Sequence, residues 1–211
     1  MASDAQHYWD SHASAYAFSH PIDFHWLSDV PKDARILDYG CGYGRSLAEL
    51  RAAGWRNSVG VDFSREMVAR GQQEHPEVEL RHVNGLPIDE PDGAFDVVLL
   101  FAVLTTIADD QAQEALMGEL ARLLRKDGLI YVSDYRLQSD ARYLERYRRG
   151  EALHSSYGAW TREDGGVFRH HTQGRLDTLL SPFERLAERD IETRTLSGAT
   201  ATATQLLARR R

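Results

Sequence analysis

A glycine-rich loop between an apolar run and a helical stretch most constrains the fold of this 211-residue chain. The apolar run covers residues 35–39, Gly40, Gly42 and Gly44 follow at alternate positions, and the pattern predicts a helix over 45–53. Glycines let the backbone turn sharply and approach a ligand closely. A strand that runs through such a loop into a helix is typical of an α/β sheet that binds its ligand at the carboxyl edge.

The rest of the chain alternates short apolar runs with amphipathic stretches, which indicates an α/β fold with a mostly parallel sheet and helices on both faces. Further strands are predicted over 58–62, 78–83, 95–101 and 129–133. Ser64 and Asp109 are predicted helix N-caps, because their side-chain oxygens can accept from free N–H groups of the first turn. The helix after Asp109 is expected to close at Asp127-Gly128.

The chain ends in two runs, over 183–193 and 200–208, that predict a hairpin on the sheet edge. Residues 137–181 differ in character, since they are rich in arginine and aromatic residues and their patterns are short. We therefore predict a single domain over 1–211. It carries an N-terminal helical cap over 1–30 and a substrate-covering insertion over 137–181.

Composition excludes several classes of protein. The chain carries 25 Lys and Arg against 32 Asp and Glu, a net charge of −7, so nucleic acid is not an expected partner. One cysteine excludes a disulfide framework and a multi-thiolate metal site. No apolar run approaches the length of a membrane span, and no secretory signal is visible. We expect a cytoplasmic monomer or homodimer with no membrane partner and no metal.

Two acids accompany the glycine loop and indicate the charge of its ligand. Asp38 precedes the loop, where a carboxylate would repel a pyrophosphate but suits an ammonium or a sulfonium. Asp62 closes the next strand, where an acid can bind a ribose diol. Arg45 stands where a dinucleotide fingerprint has its third glycine. These features favour S-adenosylmethionine as cofactor over a nicotinamide dinucleotide, and the remaining alternative is a loop that merely connects strand and helix.

The chain resembles the class I, Rossmann-like, S-adenosylmethionine-dependent methyltransferases over residues 8–134. Residues 36–44 match the glycine-rich motif of that family, and 60–64 resemble its second-strand motif. Residues 95–104 are similar to the fourth-strand motif, and 120–133 to the helix-to-strand signature. The resemblance implies a seven-stranded sheet with an antiparallel last strand. It also implies a cofactor over the carboxyl edge of the first two strands.

The resemblance further implies a set of cofactor contacts. Asp38 and the loop backbone would hold the methionine moiety, Asp62 the ribose hydroxyls, and Phe63 the adenine ring. Two residues after the third strand would lie near the adenine amine, with His82 and Val83 as rivals for that contact. The implied cofactor-binding residues are Asp38, Gly40, Cys41, Gly42, Gly44, Asp62, Phe63, Asn84, Gly85 and Phe101.

The substrate is expected in the parts of the chain that match the family poorly. Aromatic residues crowd the N-terminal segment, and we predict that Tyr8, Trp9 and Tyr16 bind the substrate. Arg169 and His171 share one face of a predicted hairpin strand. Together with an arginine-bearing helix upstream, they favour a small metabolite with an anionic group.

Methyl transfer needs a base only when the nucleophile carries a proton. The candidate bases are His170, His171, Tyr16 and Tyr135. The predicted activity is therefore methylation of an O, N or S atom of a small molecule. The alternatives are a protein-directed methyltransferase and a protein that binds S-adenosylmethionine without catalysis.

Overall fold

The computed structural model describes residues 2–211, with side chains from residue 5 onward, and a mixed sheet lies at its centre. The strands across this range are β1 Ile36–Tyr39, β2 Ser58–Asp62, β3 Glu79–His82, β4 Phe95–Phe101, β5 Leu124–Tyr135, β6 Ala159–Thr161, β7 Val167–Arg169, β8 Phe183–Arg194 and β9 Thr200–Arg210. Seven of them form one sheet in the order β3-β2-β1-β4-β5-β9-β8. The first five strands are parallel, and β9 is antiparallel to both neighbours, which confirms the expected sheet.

The α-helices within residues 2–211 are α1 Ala2–His12, α2 Arg45–Ala52, α3 Arg65–Glu74, α4 Asp110–Leu123, α5 Ala141–Gly150 and α6 Gln173–Leu179. The side chains of Ser64 and Asp109 cap α3 and α4, as predicted. The predicted end of α4 at Asp127-Gly128 is wrong, because α4 ends at Leu123 and β5 begins at once. Asp127, with φ +61°, instead lies inside β5, where the β4–β5 register shifts. None of these helices has both the length and the apolar character needed to cross a membrane.

Side chains along the strands point alternately to the two faces of the sheet, so the core has two layers. Leu37 of β1 packs with Leu120 of α4 on one face of the sheet. Ile36 packs with Leu47 of α2 and with Tyr131 of β5 on the opposite face. Because side chains alternate along a strand, Asp38 and Ser133 also lie on the α2 face.

The N-terminal segment and the region between β5 and β8 pack against each other above the carboxyl edge. That region contains α5, the antiparallel β6–β7 hairpin and α6, and residues 162–166 join the two hairpin strands. Tyr8 and Trp9 of α1 place their rings 6.1 and 6.2 Å from the ring of Phe168 in β7. Two parts of the chain that are far apart in sequence thereby form one aromatic cover.

Candidate functional site

The glycine loop lies where β1 ends, and its backbone is tied to β2. The N–H groups of Gly40 and Cys41 both donate to the carbonyl of Val61. Gly42 has φ +54°, a conformation that favours glycine. A Cβ at Gly42 would lie 2.3 Å from Cε2 of Phe18, so a side chain cannot be added there without moving that ring. The loop therefore presents bare backbone to the ring of Phe18 in the N-terminal segment.

Asp38, on β1 just before this loop, is a buried carboxylate without a bonded donor. Its side chain is 2% exposed, and the described part of the chain places no hydrogen bond on its oxygens. Burial raises the pKa of Asp38 to about 7, although the nearby Arg45 guanidinium opposes the rise. Burying a carboxylate is costly unless it is paired. Asp38 is therefore suited to a cationic ligand that supplies the missing partner.

Asp62, at the end of β2, faces the same loop and is partly satisfied by it. One carboxylate oxygen accepts the N–H of Gly42 and the other accepts the N–H of Ser64, each at 2.8 Å. Burial raises the pKa of Asp62 to about 6, and these two N–H groups limit the rise. Each carboxylate oxygen has a second lone pair, so Asp62 can still accept hydrogen bonds from two hydroxyl groups.

The other predicted cofactor residues cluster at the same edge. Phe63 follows Asp62 and is half-buried, and its carbonyl lies 3.2 Å from Nε2 of His82. Asn84 and Gly85 are exposed just beyond the end of β3. Phe101 ends β4 and packs edge-on against Tyr131. The cofactor-binding residues implied by the sequence therefore lie together around the ends of β1 to β4, and their roles stay a prediction.

A short strap, residues 18–20, crosses this edge. The ring of Phe18 stacks on that of Tyr43 in the glycine loop. Ser19 bonds to Thr193 and to the carbonyl of Arg194 at the end of β8. His20 bonds through Nδ1 to Oγ of Ser133 at 2.7 Å. The sequence alone assigns His20 no role, since its separation from Ser133 leaves no local signal.

Tyr135 and His170 meet next to this strap, at the end of β5. Their rings stack at 5.1 Å, and the ring of His20 packs edge-on against Tyr135 at 5.0 Å. His170 is further held by the hydroxyl of Tyr147 at 2.7 Å. Burial lowers the pKa of His170 to about 3 and raises the pKa of Tyr135. These two predicted bases therefore lie beside the strap, where His20 contacts Tyr135.

Arg169 and His171 lie on the α4 face of the sheet and already have partners. Arg169 is 6% exposed and donates to the carboxylate of Asp110 and the carbonyl of Ala108. His171 contacts the side-chain amide of Gln113 through Nε2 at 2.8 Å. Its Nδ1 lies 3.3 Å from the carbonyl of Tyr135.

The Gln113 amide nitrogen donates to Nε2 of His171, and the carbonyl of Tyr135 accepts from Nδ1. His171 is therefore neutral, with its proton on Nδ1. Burial, followed by the nearby Arg169 guanidinium, lowers its pKa to about 4. Both ring nitrogens of His171 are thus engaged. The predicted roles of Arg169 and His171 at the substrate stay predictions, and Nε of Arg169 is the buried nitrogen of this pair that lacks a partner in the described part of the chain.

Tyr8, Trp9 and Tyr16 join the N-terminal segment to the β6–β7 hairpin. The hydroxyls of Tyr8 and Tyr16 are 2.6 Å apart, and each lies 3.2 Å from the carboxylate of Asp164. The ring of Trp9 packs edge-on against that of Tyr16. The predicted substrate and base residues therefore fall in three places: this aromatic cover, the Tyr135–His170 stack, and the Arg169–His171 pair.

Comparison with known proteins gives a consistent result. A family model described as a methyltransferase domain matches residues 9–183. A probable S-adenosylmethionine-dependent methyltransferase of Mycolicibacterium smegmatis is 37% identical over 114 residues, which are 54% of this chain and 43% of the relative. This chain thus spans less than half the length of that relative.

Two solved structures share the fold. A methyltransferase from Methanosarcina mazei has a TM-score of 0.82 at 22% identity, covering 90% of this chain and 97% of the other. A Burkholderia thailandensis 1,6-didemethyltoxoflavin-N1-methyltransferase, with 1,6-didemethyltoxoflavin and S-adenosylhomocysteine bound, has a TM-score of 0.63 at 20% identity. That match covers 88% of this chain and 75% of the other.

Proposed function

This chain belongs to the class I S-adenosylmethionine-dependent methyltransferase family, and we propose that it methylates an O, N or S atom of a small metabolite. The observation that carries the proposal is the buried, unbonded carboxylate of Asp38 beside the bare backbone of Gly42. A loop that only connected a strand to a helix would have no use for such a costly group.

The side chains at this edge fit S-adenosylmethionine. Asp38 would bind the ammonium of the methionine moiety, and the backbone around Gly42 would lie along that moiety. Asp62 would accept the ribose hydroxyls through its remaining lone pairs. Phe63 would pack on the adenine, with Asn84 and Gly85 near its amine. When bound, the cofactor supplies a methyl group already activated for displacement.

The protein contributes alignment and exclusion of water. Phe18 and the aromatic cover of Tyr8, Trp9 and Tyr16 lie above the strand ends. They would keep the reacting groups dry. Where the nucleophile carries a proton, His170 is the base that the fold favours, since it stacks on Tyr135 at the end of β5 next to the strap, whereas burial raises the pKa of Tyr135 and keeps its hydroxyl protonated. His170 is neutral near pH 7 because burial lowers its pKa to about 3.

A small-molecule acceptor is supported by the closed cover. The strap is bonded to the end of β8, and the hydroxyls of Tyr8 and Tyr16 lie beside Asp164 of the hairpin, so little of the edge is open to a folded protein. The Burkholderia structure holds a small molecule on the same fold. An anionic acceptor is a further prediction, and it requires Arg169 to exchange its contact with Asp110 for the substrate.

The proposal is tested by incubating the protein with S-adenosylmethionine and pools of small nucleophilic metabolites, and by measuring S-adenosylhomocysteine formed. We expect turnover with at least one pool and none with the Asp62→Ala variant in the same pool. Turnover only when a protein extract is added would favour the protein-directed alternative. Cofactor binding without turnover in any pool or extract would favour a binding protein.

A further inference from the structure

Two buried N–H groups beside the glycine loop lack acceptors. They are Nε2 of His20 and Nε of Arg45, and neither has a hydrogen-bond partner in the part of the chain that the structure describes. An unsatisfied buried donor costs about 1–3 kcal/mol, so each such group in a folded protein requires a reason.

The hydrogen bond of Ser133 identifies the free nitrogen of His20 as a donor. Ser133 is fully buried, and Nδ1 of His20 is the one partner that its hydroxyl has among the described side chains. The hydroxyl proton of Ser133 is satisfied only if Nδ1 accepts it. The imidazole is neutral, since burial and the Arg45 charge lower its pKa to about 4. Its single proton is therefore on Nε2.

Arg45 uses its other N–H groups within the protein. One terminal nitrogen pairs with Glu49 and the other donates to the backbone carbonyl of His20. This second bond places Arg45 directly beside the strap. Its Nε–H remains without an acceptor. Two neighbouring side chains thus each keep one free donor.

The strand registers place these donors on the same face of the sheet as the cofactor acids. Asp38 pairs with Leu99 of β4, and Phe101 of β4 pairs with Ser133 of β5. His20, which lies over Ser133, is therefore two strand spacings, about 10 Å, from the β1 strand that carries Asp38. Arg45 lies near both, since it donates to the carbonyl of His20 and its charge acts on both Asp38 and His20.

Two free donors and one free carboxylate match a zwitterionic amino acid. We propose that Nε2 of His20 and Nε of Arg45 bind the carboxylate of the methionine moiety, while Asp38 binds its ammonium. His20 and Arg45 are thus positioning residues for the cofactor. Through His20, the strap contacts the amino-acid end of the cofactor. The inference rests on the proposed function, because it requires S-adenosylmethionine at this edge.

The test is calorimetric titration with S-adenosylhomocysteine and with its decarboxylated analogue, which keeps the ammonium. We expect His20→Ala and Arg45→Met to weaken binding of S-adenosylhomocysteine about tenfold or more each. Binding of the decarboxylated analogue should change by less than about twofold. His25→Ala, at an exposed position on the same segment, and Glu49→Gln, which removes only the outer pair of Arg45, serve as controls.

His20→Gln, which keeps an N–H near the position of Nε2, should recover most of the affinity if His20→Ala loses it. It also provides a folded variant if His20→Ala is unstable. Equal losses for both ligands, or unchanged binding of S-adenosylhomocysteine in both variants, would overturn the inference. A wild-type protein that bound neither ligand would instead overturn the proposed function itself.

Discussion

The two faces of the sheet differ, at its carboxyl edge, in the hydrogen-bond partners of their buried polar groups. On the α2 face, the carboxylate of Asp38 and one nitrogen each of His20 and Arg45 have no protein partner. On the α4 face, Arg169 and His171 are equally buried and Asp110 and Gln113 bind them, so that among the described residues Nε of Arg169 alone is unpartnered within this pair and no carboxylate lies free beside it. We infer that the first side is arranged for a ligand, whereas the second mainly holds the insertion on the domain.

This difference shows why residue type alone is a poor guide to a site. Arg169 and His171 have the chemistry of a substrate site, and their burial is what a site residue would show. Most of their hydrogen bonds are those of structural residues, because Asp110, Ala108 and Gln113 bind them, although Nε of Arg169 has no partner among the described residues. A buried carboxylate without a bonded donor, next to two nitrogens without acceptors, favours the α2 side as the place of a ligand more strongly than reactive residue types do.

The largest effect is expected at Gly42. Gly42→Val places a branched side chain where a Cβ alone would meet Phe18 at 2.3 Å, and at φ +54°. We expect loss of S-adenosylhomocysteine binding by about a hundredfold or more, measured by calorimetry. Gly118→Ala on α4 is the control, since a Cβ there meets nothing within 4 Å. If Gly42→Val folds and binds with wild-type affinity, the loop only connects β1 to α2 and does not bind the cofactor.

Asp62→Ala should have the next largest effect. It removes the acceptor for two ribose hydroxyls and for the N–H groups of Gly42 and Ser64. We expect affinity for S-adenosylhomocysteine to fall tenfold or more, because a hydrogen bond to a charged group contributes about 1.5–3 kcal/mol. Asp33→Ala, an exposed acid at the opposite edge, is the control. Unchanged affinity in Asp62→Ala would remove that residue from the site.

The raised pKa of Asp38 leads us to expect that cofactor binding depends on pH. Its pKa is raised to about 7, so its carboxylate is mostly protonated at pH 6 and mostly ionised at pH 8. An ammonium is bound by the ionised form. The affinity for S-adenosylhomocysteine should therefore rise about tenfold from pH 6 to pH 8 in the wild type and stay nearly flat in Asp38→Asn.

The free energy of unfolding of the cofactor-free protein should fall with rising pH because of Asp38, whereas the cofactor affinity should rise. A carboxyl whose pKa is raised on folding contributes stability below pH 4 that is lost as the pH rises to about 7. Asp38→Asn should thus gain stability relative to wild type across this range, as measured by urea unfolding. A gap between the two proteins that is independent of pH would show that Asp38 titrates normally.

The smallest effect on the cofactor is expected on the α4 face. Arg169→Ala should change affinity for S-adenosylhomocysteine by less than about twofold, yet lower the free energy of unfolding by about 1–3 kcal/mol. The reason is that the contacts of Arg169 with Asp110 and Ala108 hold β7 against α4. Arg148→Ala, at an exposed ion pair, should cost little. Unchanged stability with a raised KM for an identified substrate would return Arg169 to the substrate site.

Much of the fold was predictable because it depends on local pattern. β2 and β4 match their predicted bounds, and the caps at Ser64 and Asp109 follow from side-chain chemistry at single positions. The end of α4 was missed because Asp127-Gly128 resembles a helix stop. In the structure it forms an irregularity inside β5, where pairing with β4 overrides the local signal.

The cofactor side of the site was predictable for the same reason, since Asp38 and Asp62 each close a strand next to the loop. The contacts of His20 with Ser133 and of Arg169 with Asp110 were not. Each joins residues more than fifty positions apart, and neither pairing leaves a periodic trace in the sequence. Hydrogen-bond accounting, which requires the folded structure, separates their roles.

The most direct test of the difference between the two faces is a calorimetric titration of the wild-type protein with S-adenosylhomocysteine and, separately, with NAD. We expect one molecule of S-adenosylhomocysteine to bind per chain with a micromolar Kd, and no detectable heat with NAD. Binding of NAD without binding of S-adenosylhomocysteine would contradict the assignment of the α2 face as the S-adenosylmethionine site.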